Sequence, residues 1–365
     1  MATKQTAKPT IKQTSKTTQT ITTKNVSAKI TLSPTLEQVA ASEGIDKLRE
    51  LQRAYGIIPA AAVPDIEPRL DRLETLLREN AVTAGELATN QPRFLSMLTG
   101  VPLKDVTGYH ATEVAEELHA YRNLALAVAA LAASTINVDS EATSPKAVYT
   151  HATKLALRSI YSFRPCAHDE IVLLRVAAHL AAIKDPRDHA ATVYTLLDAG
   201  QVPGETTHVT IEDYDDPEMP QLVLAAGNRH LEPRFLTLDQ FATHTLGRHL
   251  EHALRAGYSR SAPLTYRPRV RKDAESHAPG STSAIASAQR IIDRLIQQLG
   301  LPTVDITASS ITQWRVATTL ATRGAEAAWQ LSGRSKVEGM YRALGGAYRT
   351  TPTARPDDHG ISFAD

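Results

Sequence analysis

The residues best placed to do chemistry in this 365-residue chain are its arginines. Between Arg248 and Lys272, seven basic residues (Arg248, Arg255, Arg260, Arg267, Arg269, Arg271 and Lys272) stand against one acid, Glu251, with Tyr258 and Tyr266 interleaved. Guanidinium forks match phosphate oxygens, so the stretch fits a surface that follows a nucleic-acid backbone. A solvated, proline-punctuated loop would have the same composition, and both readings stand. Arg315, Arg323, Arg334, Lys336 and Arg342 form a second basic stretch, on short predicted helices, suited to contact with duplex DNA. Arg323 has an ordinary role open to it as well, since a basic residue before Gly324 commonly finishes a helix.

Other reactive side chains carry less. His244, His249 and His252 surround Glu251 on a predicted helix, but spacings of five and three do not give the i, i+4 histidine pair of zinc helices. No metal and no cofactor is expected. Cys166 stands beside His168 and Asp169, where a thiol nucleophile could be imagined; a lone cysteine near a helix start is more often buried and inert. One cysteine excludes an internal disulfide framework.

The charge balance divides the chain. Its net charge of +1 combines six lysines and no acid in residues 1–30, a net of −11 in residues 31–247, and a net of +6 in residues 248–365. A basic half can meet a polyanion and an acidic half cannot. Residues 1–30, with nine threonines, have little to bury and read as a disordered basic tail, either a nucleic-acid-binding arm or a solvated leader. With 42% apolar and 22% charged residues the chain as a whole is ordinary for a globular protein, and its length suggests two domains. The longest apolar run, Leu124 to Ala133, stops at ten residues, well short of the ~18 that cross a bilayer, and the N-terminus has no apolar signal core. A soluble, cytoplasmic protein with no membrane partner is expected.

Several elements must hold the basic stretches in place. From Thr35 to about Ile160 the pattern is helical: Leu36, Val39, Ala40, Leu48 and Leu51 start a 3.6-residue period that Pro59, Pro64 and Pro68 break. Further helices are predicted around Leu70–Leu77, Thr112–Ala133 and Lys146–Ser162. After Arg164-Pro165 come helices at Asp169–Ile183 and Arg187–Ala199. Strand-like pieces follow at Thr207–Ile211, Leu222–Ala225 and Phe235–Leu238, the first two joined by the acidic turn Glu212–Glu218. Helices then return at Asp239–Ala256, Ser281–Leu299, Ser309–Thr322 and Ala325–Leu331. The fold class is mainly α with a small β-meander, an α+β arrangement. The predicted units are a tail (1–30), a helical domain (31–162), a mixed domain (163–349) and a C-terminal tail (350–365).

The order of elements from Asp169 onward resembles the catalytic domain of tyrosine recombinases, the phage-integrase family. Arg187-Asp188 and Thr192–Gly200 (TVYTLLDAG), running into Gln201-Val202-Pro203-Gly204-Glu205, look like its first motif. Val209–Asp213 resembles the next strand, and Leu222–Leu236, with Gly227-Asn228-Arg229 at the turn, resembles its lysine-bearing meander. Ile306–Glu326 (ITASSITQWRVATTLATRGAE) is the closest stretch, with Ala317-Thr318 and Arg323-Gly324-Ala325 in step. Leu331-Ser332-Gly333-Arg334 falls at the "LGH" turn, and Tyr341 lies a short way beyond it. The resemblance covers about residues 165–345. By position alone it makes the helical 31–162 region a DNA core-binding domain, so that duplex DNA would be clamped between the two.

The resemblance implies attack of a tyrosine on a phosphodiester, with two arginines, a lysine and two histidine-type donors holding the developing charge. Here the chain departs from the pattern. Val202 stands at the first arginine position, Asn228 at the lysine turn with Arg229 next to it, Ser310 and Gln313 at the histidine and second arginine positions, and Arg334 at the second histidine position. Arg315 could substitute only by a two-residue shift, a rotation of roughly 200°. Removing one oxyanion donor costs about two to three orders of magnitude in rate. The leading expectation is therefore a protein that binds double-stranded DNA on a recombinase-like fold without strand cleavage, self-associating on DNA. Its contacts would be Arg229, Arg248, Arg255, Arg260, Arg267, Arg269, Arg271, Lys272, Arg315, Arg334, Lys336 and Arg342. The alternatives are a divergent recombinase with Tyr341 (or, less well placed, Tyr348) as nucleophile and Arg229, Arg315 and Arg334 as replacement cations, and an interaction protein whose acidic middle holds another protein.

Overall fold

Apolar residues at helical spacing give most of the architecture. The computed structural model describes residues 34–80, 82–89, 91–100, 115–136, 164–185, 189–214, 216, 220–266, 278–303 and 305–345. Helix α1 (Pro34–Tyr55) buries Ile45, Leu48 and Leu51, and α2 (Val63–Asn80) buries Ile66, Leu70, Leu73, Leu76 and Leu77. The expected breaks at Pro64 and Pro68 do not occur, because both prolines lie within α2. Pro64 falls in the first turn, where no intrahelical N–H bond is needed, and Pro68 forgoes only the bond to the carbonyl of Pro64. Pro59 alone sits in a connection.

Two short helices, α3 (Ala84–Thr89) and α4 (Gln91–Thr99), were not anticipated. A reciprocal capping box starts α3: Glu86 N donates to Thr83 Oγ1 and Thr83 N to Glu86 Oε2, both at 3.1 Å. Helix α5 (Ala115–Ile136) is buried on every side from Leu118 to Ala132, which accounts for its alanine-rich sequence. The predicted helix at Lys146–Ser162 and both tails lie outside the described residues.

Helices α6 (His168–Lys184) and α7 (His189–Ala199) are also buried almost all round. One apolar core runs from Ile45 in α1 to Trp314 near the C-terminal end, so side chains from both sides of residue 162 share it. Within it, Arg175 of α6 is fully buried and bonds Asp198 of α7, Asp239 ahead of the next long helix, and the carbonyl of Gly56 after α1. Its guanidinium lies over the Phe241 ring, 4.7 Å from the centroid. Arg164 ties Glu170 to Asp305 in the same manner.

After the one-turn helix α8 (Pro203–Thr206), the expected strand at Thr207–Ile211 does not form. Thr210 and Asp213 close a 3₁₀ turn at Ile211–Asp213, with Thr210 N and Oγ1 both donating to Asp213 Oδ2. The backbone of 209–211 bonds the loop before Tyr266 instead: Leu264 N donates to the Val209 carbonyl and Ile211 N to the Arg260 carbonyl, each at 3.0 Å. The sheet therefore has two antiparallel strands, β1 (Leu222–Ala225) and β2 (Arg234–Thr237), in register Leu222 with Thr237, and a single bridge from Tyr214 to Val223. A second core lies under this hairpin, and α9 (Gln240–Arg255) contributes Ala242, Leu246, Leu250 and Ala253 to it.

The C-terminal helices are α10 (Thr282–Gln298), α11 (Ala308–Ser332) and α12 (Val337–Leu344). Helix α11 is broken at Gly324, which has φ +86° and ψ 177°, so two helical pieces meet there as the sequence indicates. A third, small core of Val316, Ala328, Met340 and Leu344 fastens α12 to α11. The fold is mainly helical with one small antiparallel sheet.

Candidate nucleic-acid interface

The tip of the β1–β2 hairpin is shaped by Gly227, whose φ of +72° favours glycine. A Cβ there would stand 2.6 Å from the Leu231 carbonyl oxygen, so no other residue fits without moving backbone. Asn228 and Leu231 exchange backbone hydrogen bonds at 2.8 and 3.2 Å, and Asn228 Oδ1 accepts from His230 N. The hairpin then docks on the end of α11: Glu232 N donates to the Gly333 carbonyl at 2.8 Å, and Leu231 bridges Arg334. Trp329 Nε1 donates to the Arg334 carbonyl and holds the turn that leads into α12.

This docking assembles a pocket of about 560 Å³. Arg229 comes from the hairpin tip, Arg334 and Lys336 from the turn before α12, and Arg342 from α12 itself. Four of the residues expected to contact DNA thus converge, although the sequence scatters them over more than a hundred positions. Glu232 and Glu338 also line the pocket, and neither is within salt-bridge distance of any of the four cations. His230, Ser335 and Gly339 line it too and were missed; only the docking of hairpin on helix end, which has no local sequence signal, brings them there.

The arginines paired within the fold behave differently. Arg234, at the start of β2, donates to Glu205 through both terminal nitrogens (2.7 and 3.1 Å), to the Gly200 carbonyl (3.1 Å) and to the Leu331 carbonyl (2.7 Å). Its hydrogen-bonding capacity is taken up in joining α8, β2 and α11. Arg164 and Arg175 are likewise held by carboxylates. Arg229, Arg334, Lys336 and Arg342 have no carboxylate partner among the described residues.

The positions that the resemblance assigns to cations hold groups engaged within the fold. Val202 caps α8, and its N–H donates to Glu205 Oε2 at 3.0 Å. Ser310 is fully buried and its Oγ accepts from Thr307 N. Gln313 donates to the Ala343 carbonyl at 2.9 Å, and its own Oε1 is buried with no partner. Tyr341 is half-buried and packs on the third core. Arg315 is half-buried on α11, does not line the pocket, and stands close enough for its charge to act on Asp198 and Asp239. The cation set foreseen for a divergent recombinase, Arg229, Arg315 and Arg334, is therefore not brought together: Arg229 and Arg334 share the pocket, and Arg315 lies elsewhere.

Other expected contacts also fall outside the pocket. Arg248 and Arg255 are exposed on α9, where Arg255 pairs with Glu251 at 2.6 Å, and Arg260 is exposed in the loop beyond. Arg323 is exposed at the break in α11. Arg267, Arg269, Arg271 and Lys272 lie outside the described residues. The α9 histidines diverge: His249 is buried, while His244 stacks on Tyr55 with ring centroids 3.7 Å apart. Burial, then Arg248, lowers the His244 pKa; burial, His244, Arg248 and Lys47 bring His179 down to about 4. Cys166 is buried, and burial pushes its thiol well up, away from nucleophilic character. No described helix is long and apolar enough to cross a membrane.

No family model and no curated protein matches the chain. Among solved structures it is similar to a crystal structure of XerA recombinase, at 14% identity and a TM-score of 0.39, covering 90% of this chain and 100% of that one. It is also similar to a lambda integrase dimer bound to a COC' core site, at 12% identity and a TM-score of 0.36, covering 90% and 85% of the two chains. Likeness at this level assigns the chain neither an activity nor a partner.

Proposed function

We propose that this protein binds duplex DNA through backbone phosphates and does not cut it. The observation that supports the reading is the convergence of Arg229, Arg334, Lys336 and Arg342 on one open pocket, none of them neutralised by a carboxylate among the described residues. Cations left unpaired at a concave surface raise the local concentration of a polyanion and form charge-assisted bonds to phosphate. Arg248 on α9 and Arg260 in the loop after it are further exposed cations, while Arg255 pairs with Glu251. Absence of cleavage follows from Val202, Ser310 and Gln313: a phosphoryl transition state has no guanidinium there to receive its charge.

Fluorescence anisotropy of a labelled duplex at two salt concentrations, wild type against Arg334→Ala/Lys336→Ala, tests the reading. Binding should weaken steeply with salt, and the double variant should flatten the log–log slope by roughly two, at about 0.9 for each phosphate no longer neutralised. Absent or salt-insensitive binding overturns it. A covalent adduct on a nicked suicide substrate, abolished in Tyr341→Phe, would instead establish a working recombinase.

A further inference from the structure

The pocket is concave, and that bears on what fits it. A volume of about 560 Å³ lies in the range of small-molecule sites, and a closed duplex reaches such a pocket only at its rim. Four cations face two carboxylates, Glu232 and Glu338, leaving the lining net positive. Helix α12 opens at the pocket with Lys336 as its N-cap and no side chain capping it, so the positive end of the helix adds to the field. Among the described residues no Phe, Tyr or Trp lines the pocket, which leaves only the smaller His230 ring and the guanidinium planes for a base to stack on.

We propose that the Arg229–Arg334–Lys336–Arg342 pocket binds a short phosphate chain, free or as the tail of a nucleotide, and that this ligand competes with duplex DNA. The phosphate-chain site stands on the pocket alone, and its competition with duplex DNA rests on the DNA reading above. Several negative charges in a compact ligand meet several cations inside the concavity, whereas the phosphates of a duplex, fixed along its backbone, reach them only from the rim. A small polyphosphate would therefore switch DNA binding off by occupying the same groups.

The test is calorimetric titration of the full chain with inorganic tripolyphosphate, followed by displacement of a labelled duplex. Wild type should bind with one-to-one stoichiometry. Arg334→Ala/Lys336→Ala should bind about tenfold or more weakly, as expected on removing two charge-assisted hydrogen bonds, and Arg342→Ala alone should show part of that effect. Arg290→Ala/Arg294→Ala removes the same charge from the exposed face of α10 and should leave binding intact. All these side chains except the half-buried Arg334 are exposed, and unchanged far-ultraviolet circular dichroism will show that each variant folds. Adenosine triphosphate binding as tightly as tripolyphosphate confirms recognition of the phosphate chain. Duplex binding that tripolyphosphate does not displace beyond an ionic-strength-matched chloride control overturns this inference and leaves the DNA reading standing. Tripolyphosphate binding without duplex binding overturns the DNA reading and the competition with it, and leaves the phosphate-chain site standing. Equal weakening in the pocket and α10 variants overturns the inference as non-specific attraction.

Discussion

Gln313 donates its side-chain amide to the carbonyl of Ala343 at 2.9 Å, tying the second turn of α11 to the last turn of α12. The bond spans 30 residues and satisfies one of the carbonyls that a helix end leaves open. Gln313→Ala should remove it and destabilise the protein by about 1 kcal/mol, a typical net value for one hydrogen bond. The change should be local, so amide exchange in α12 should accelerate while that of α6 and α7 stays constant. Exchange measured by mass spectrometry checks this, and uniform acceleration would mean the bond is not specific to α12.

Arg229 and Arg234 lie five residues apart and should respond in opposite ways. Arg229 is exposed and has no carboxylate partner among the described residues, so Arg229→Ala should leave stability within about ±0.5 kcal/mol and reduce the salt slope of DNA binding by about one. Arg234→Met leaves the fully buried carboxylate of Glu205 without its cationic partner and should cost about 3–5 kcal/mol. Urea unfolding of the two variants separates a ligand-binding arginine from a structural one. Similar midpoints for both would contradict this division of the arginines.

That division was invisible in the sequence, because Arg234 and Arg229 sit in one basic hairpin and differ only in what folds against them. Regular elements with local causes were easier to read. The stripe of α2, the alanine-rich α5 and the break at Gly324 follow from spacing, burial and one permissive residue. The strand expected at Thr207–Ile211 failed for a non-local reason: β-branched residues promise pairing there, but the carbonyl of Val209 and the N–H of Ile211 are taken by Leu264 and Arg260, some fifty residues on. Pro64 and Pro68 misled because their places within the first turns of α2 could not be told from a break. Of the candidate site, the cations were legible one by one; their convergence needed the hairpin to dock on Gly333 and Arg334.

The turn that presents Arg229 depends on Gly227. Its φ of +72° and the 2.6 Å approach that a Cβ would make to the Leu231 carbonyl mean that Gly227→Ala must distort backbone, at about 1–3 kcal/mol. Because Leu231 and Glu232 carry the docking onto Gly333 and Arg334, the distortion should reach the pocket and weaken duplex binding, although no cation is removed. Thermal unfolding together with anisotropy checks this; lowered stability with unchanged affinity would separate the hairpin tip from the site.

Acid should destabilise the protein through His179. This side chain is nearly buried, faces His244, Arg248 and Lys47, lies 5.9 Å from the Tyr55 ring, and has its pKa brought down from 6.5 to about 4. A histidine whose folded pKa is depressed binds its proton more readily when unfolded, so it contributes nothing above pH 6.5 and disfavours folding increasingly as pH falls from 6.5 towards 4. Over that window the effect amounts to about 3 kcal/mol at most, at about 1.36 kcal/mol per unit. Asp239, held below the usual carboxylate range by Arg175 and the Ala242 N–H despite its burial, loses its contribution only at lower pH still, as its folded-state pKa is crossed. Replacing His179 by phenylalanine, which has no titrating proton, should flatten the stability profile between pH 6.5 and 4 and leave the steeper loss below it. A profile unchanged by that substitution would move the acid sensitivity away from the His179–His244 pair.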